Sequence, residues 1–138
     1  ERAAAIVAGE LGAVQKLEAL LRTWSEHVSS HPGLFHFLFN EFAVQMLLKT
    51  DSETKEADAI GRLATIVSQG IAEGVFRQVD AEQYAILMFG AVREMAEKLL
   101  ATRDEFPVEH MVATSLDFSL HGLGANLDTQ DTQKGVGT

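Results

Sequence analysis

The sequence predicts an all-α fold, on three observations. Apolar residues recur at three- and four-residue spacing in five segments. Alternation of β-branched and aromatic residues between turn clusters is nearly absent. Only two prolines interrupt a chain rich in Ala, Leu, Glu and Gln. With 138 residues and 46% hydrophobic content, the chain suits one compact domain with a core of its own.

Residues 1–8 read as the end of a linking helix, because Glu1, Arg2 and Ala3 look like a helix already in progress. The first full helix places Val14, Leu17, Leu21, Trp24 and Val28 on one face and stops before Pro32, which pushes His31 out of the α region. A second helix runs from about Gly33 to Lys49. It has two apolar faces, Phe35, Leu38, Phe39, Phe42 and Met46 on one and Phe37, Val44 and Leu48 nearly opposite. The third, from about Glu53 to Glu73, buries Ile60, Leu63, Ala64, Val67 and Ile71 and ends at Gly74 as a left-handed cap. Gly70, four residues earlier, reads as a point of close approach. Asp80 opens the fourth helix with Gln83 three residues on, and Pro107 is placed as the first residue of the fifth. The domain thus covers residues 1–123, and residues 124–138, polar and punctuated by glycine, read as a flexible tail.

The fourth and fifth helices carry more apolar surface than one small chain can cover. In the fifth, polar side chains are confined to His110, Thr114, Asp117 and His121. In the fourth, Tyr84, Leu87, Met88, Ala91, Val92, Met95 and Leu99 make one broad face, and Ile86, Phe89, Gly90, Ala96 and Leu100 a second. The two are expected to form a hairpin that pairs with a second copy as an intermolecular four-helix bundle, a homodimer. Cover by the first and third helices of the same chain is the competing expectation.

Charge and composition narrow the function. Twenty acidic against 11 basic residues give a formal net charge of −9, so this chain is a poor candidate for touching DNA itself. No apolar run approaches the ~20 residues that span a bilayer, so no membrane partner is expected. Absence of cysteine excludes disulfides and thiolate chemistry and accords with a cytoplasmic location. His27 and His31 share the spacing of two metal ligands, but His31 precedes proline and no third ligand is fixed by spacing. His110 and His121 lie eleven residues apart, about 16 Å along a helix, too far to share an ion. With no HExxH, phosphate-binding glycine loop or GxSxG, no catalytic residue, metal ligand or cofactor is assigned. The second helix is the most chemically suggestive element. Between its apolar faces run the seams His36/Asn40 and Glu41/Gln45, which could orient an apolar ligand in a cavity or simply reach solvent.

The runs HPGLFHFLFNEF (31–42), IVSQGIAEGVFRQVDAEQYAILMFGAV (66–92) and LDFSLHGLG (116–124) resemble the C-terminal regulatory domain of TetR/AcrR-family transcriptional regulators. The likeness covers roughly Val14 to Gly124, and its most specific part is Gly74, Phe76, Arg77 and Asp80 between the third and fourth helices. The resemblance implies a homodimer that binds a small apolar effector among its central helices. It also implies a repressor-type transcription regulator that reaches DNA only through an N-terminal helix-turn-helix with no counterpart in these residues. On helix faces, the ligand-binding residues are expected to be Trp24, Phe35, His36, Phe39, Asn40, Phe42, Gln45, Met46, Ile66, Met88 and Val92. The dimer interface is expected to use Ile86, Phe89, Gly90, Ala91, Arg93, Met111, Ser115, Phe118 and Gly122. Two other readings stay open: a helical module that binds a different protein, and a small all-helical enzyme using Glu41 or His36.

Overall fold

A computed structural model describes residues 2–35 and 49–124 of the chain. The described residues are helical or in turns, with no strand among them. The helices are α1 (Arg2–Ala8), α2 (Ala13–Ser30), α3 (Lys49–Ala72), α4 (Ala81–Thr102) and α5 (Val108–Gly122), and residues 32–35 are also helical. The rest of the expected second helix lies outside the described residues, as does the expected tail from residue 125 onward.

Most helix ends fall where local chemistry demands. His31, before Pro32, leaves the α region at φ −132° and ψ 53°. Gly74 takes φ 78° and closes α3 as a left-handed cap. The carboxylate of Asp80 accepts the Gln83 amide at 3.1 Å and caps α4. Pro107 sits one position outside α5, not at its first residue. At ψ 82° it is the N-cap, and its carbonyl accepts the Met111 amide at 2.9 Å. Phe106, the residue before this proline, is buried.

α3 packs along α4, and α2 lies against α5. The main core interleaves Leu17, Leu20 and Leu21 of α2 with Leu63, Ile66 and Val67 of α3 and Ala85 and Met88 of α4. A second cluster joins Val28, Ala96, Phe106 and Met111, and Val92 packs against both. Close approach at Gly70 is made by the Phe76 ring, which occupies the space a β-carbon would need. The chain reverses through Gly74, and the Val75 and Phe76 amides both return to the Gly70 carbonyl, at 3.0 and 3.1 Å.

Gly70→Ala is therefore expected to destabilise by about 1–3 kcal/mol through overpacking against Phe76, although helix propensity alone would favour alanine by about 1 kcal/mol. A lower urea midpoint with an unchanged denaturant slope is the check.

Candidate functional site

Helix faces bring the described part of the expected ligand site together. Ile66 and Met88 belong to the main core with Trp24 and Val92 packed against it, while Phe35 packs on the second cluster, which Val92 also touches. Trp24 meets Phe89 edge to face, with centroids 6.2 Å apart, and Phe35 meets the His27 ring in the same manner at 5.3 Å. These T-shaped contacts fix ring orientation as well as bury area. Ile66 and Met88 are fully covered. His36, Phe39, Asn40, Phe42, Gln45 and Met46 lie outside the described residues, as does Glu41.

The α4–α5 hairpin divides the expected dimer residues into two groups. Met111 and Ser115 are buried in the chain's own interior, at 1% and 4% exposure, so they do not form an outer face. Phe89 is turned toward Trp24, and Gly122 lies under the Tyr84 hydroxyl, where a β-carbon would collide. These four residues serve packing within one chain, in which α5 lies against α2 with Met111, Val112, Ser115 and Ser119 buried. Ile86, Gly90, Arg93 and Phe118 face outward, and Ala91 is half-buried. Leu87 is expected on the same face as Met88, yet it is 67% exposed. It stands about 100° from Met88 around the helix, and the Ala85, Met88, Ala96 stripe marks the inward direction.

Part of the outward group meets across the hairpin. Tyr84 beside Gly122 shows that α4 and α5 run antiparallel, and Leu87 and Phe118 each lie about one turn from that contact. Leu87 and Phe118, at 67% and 61% exposure, form an apolar strip across the hairpin, and Ile86, 48% exposed, stands about 100° farther around α4 from Leu87, away from that seam. Glu94 and Lys98, paired at 3.4 Å, stand farther along the outer side of α4.

A polar network joins α1, α2 and α3, buried at its Lys16 end and open to solvent at Glu73, and no sequence motif announces it. Lys16 is only 5% exposed. Its ammonium donates to the Val7 carbonyl at 2.6 Å and to Gln69 Oε1 at 2.7 Å. The Gln69 amide nitrogen donates to the Leu11 carbonyl at 3.0 Å and to Glu73 Oε2 at 2.7 Å. The other Glu73 oxygen accepts the Ala13 amide at 3.1 Å, supplying the N-cap that Gly12 cannot. The sign the sequence carries is that Lys16 interrupts the Ala13, Leu17, Leu20 stripe.

On the opposite side of α2, an open cleft of about 410 Å³ is floored by Val112, Leu116 and Leu120 and rimmed by Glu18, Arg22, Glu109 and Asp117. Arg22 and Glu109 pair at 2.6 Å, which raises the guanidinium's pKa and lowers the carboxyl's. None of the expected ligand residues lines this cleft. His27 and His31 have ring centroids 4.9 Å apart, and His31 Nδ1 lies 3.2 Å from the His27 carbonyl oxygen. No group of three or more His, Cys, Asp or Glu converges for a metal among the described residues. No described helix is long and apolar enough to cross a membrane. Neither a protein-family model, a curated protein nor a solved structure matches the chain.

Hydrogen bonds from Gln69 and from the Ala13 amide, with the nearby Lys16 charge, hold the Glu73 carboxyl below its usual value of 4.5. A carboxyl lowered in the fold contributes stability that is complete above its unfolded pKa and lost as pH falls through the folded one. Glu73→Gln, which mimics the protonated side chain, is expected to melt below the parent at pH 7. The two melting curves should converge in acid, below the ordinary carboxylate range.

Proposed function

We propose that this chain is the ligand-sensing and dimerisation domain of a TetR/AcrR-like transcriptional regulator. It would act in the cytoplasm and reach DNA only through an N-terminal domain outside these residues. The observation that carries the proposal is the α4–α5 hairpin, whose outer face leaves Ile86, Leu87 and Phe118 in water while its inner face is spent on the chain's own core. In the resembling family the last two long helices are the pairing surface. The apolar, aromatic character of the interior around Trp24, Phe35, Ile66, Met88 and Val92 supports the sensing half, with a small apolar effector entering by parting packed side chains.

The magnitudes suit a dimer that needs both helices. Three such side chains from each copy release on the order of 5–10 kcal/mol on burial, allowing for their partial cover in the monomer. Association costs about 4–15 kcal/mol. These side chains alone therefore sit near balance, and close helix approach at Gly90 and Ala91 would supply the remainder through dispersion.

Sedimentation at tens of micromolar is expected to give twice the 15.0 kDa chain mass. Leu87→Arg or Phe118→Glu should return the chain mass with the helical signal intact, because both side chains are exposed in the single chain. A parent that sediments as a monomer would refute the pairing. For sensing, an apolar ligand at about 100 times its Kd should stabilise by about 2.7 kcal/mol, seen as a rise of several degrees in melting temperature. Val92→Trp, which enlarges the side chain that packs against both clusters, should abolish that rise. A screen of apolar compounds that leaves the parent's melting point unmoved would count against the effector role.

A further inference from the structure

We propose that Lys16 is a latch that couples the docking of α1 to the position of the last turn of α3. α1 has seven residues, far too few to be a stable helix in isolation. Its apolar hold is slight: Ala3 is buried and Val7 partly so. At its N-terminal end Arg2 meets Glu26 at 3.3 Å, but both side chains are largely in water and such a pair contributes little. At its C-terminal end the hold is of another kind. The Lys16 ammonium reaches a carbonyl of the final turn, where helix carbonyls lack intrahelical partners and the helix dipole favours a cation.

The same ammonium depends on α3. Gln69 is its second acceptor, and Gln69 is oriented by Glu73, which also caps α2. A shift or rotation of this turn of α3 removes one acceptor from a nearly buried charge. Leaving that charge half-satisfied indoors is more costly than leaving neutral groups so. Lys16 is then better served by swinging into water, which also surrenders Val7. The response is two-state: α1 is docked with the network whole, or released with the network broken. This inference stands whether or not the domain senses a ligand.

Hydrogen exchange on the full chain, followed by mass spectrometry of peptides from each helix, tests it. Lys16→Met keeps the apolar stem and removes the donor. It is expected to speed exchange in α1 roughly 10- to 100-fold, the equivalent of losing charge-assisted hydrogen bonds, with α4 and α5 unchanged. Glu73→Gln touches no atom of α1, yet it should also speed exchange there, because it loosens Gln69. Four outcomes would overturn the proposal: an α1 already unprotected in the parent, unchanged α1 exchange in Lys16→Met, equal acceleration through every helix, or an α1 indifferent to Glu73→Gln. If Lys16→Met fails to fold, Glu73→Gln decides alone.

Discussion

Phe76 packed over Gly70 sets the geometry on which the other helices depend. The ring can lie there only because residue 70 has no side chain, and it holds the reversal made at Gly74 against the end of α3. The next residue, Arg77, is thereby aimed at the end of α5. Its amide donates to the Leu123 carbonyl and its Nε to the Gly122 carbonyl, both at 2.9 Å, and its guanidinium lies 5.5 Å from the Tyr84 ring centroid. Three residues later Asp80 starts α4. One short turn thus ends α3, begins α4 and caps the C-terminus of α5, where a cation suits the helix dipole.

From that junction follows which surfaces remain to meet other molecules. With α5 pinned at its C-terminus and Tyr84 seated on Gly122, rotation of either helix of the hairpin is restricted. Met111, Val112, Ser115 and Ser119 must turn inward, and Leu87 and Phe118 must turn out. The exposed strip is therefore a consequence of packing that the same chain enforces. For the proposed pairing such a surface is preformed, which would lower the cost of ordering it on association.

The periodic signals were legible in the sequence. Gly74, Asp80 and Pro32 marked true helix ends, since each acts through its own backbone or the next few residues. Facing directions were read less well. Leu87 and Met88 are neighbours on one wide apolar sector, and only the packing of α4 against the α2 and α3 residues of the main core, far back along the chain, decides which is covered. Met111 and Ser115 were assigned to a partner for the same reason. The Lys16 network was harder still. A lysine within an apolar stripe ordinarily extends its head to water. That this one turns inward depends on Gln69 and Glu73, more than fifty residues away.

The packing of the interior also constrains how a sensing role can operate. Ile66 and Met88 are fully covered by their own chain, so an effector placed among them must displace side chains or part helices. Part of its binding energy is then spent on that movement, and only its preference for the opened arrangement can shift the conformational balance. Ile66 stands one turn before Gln69 on the same helix, and Gln69 is where the hold on α1 is made. α3 is continuous across both positions, so a displacement felt at Ile66 is carried to Gln69 by the helix itself. A site that had to be pried open would thus be the better transmitter, because a ligand entering ready-made empty space would move nothing.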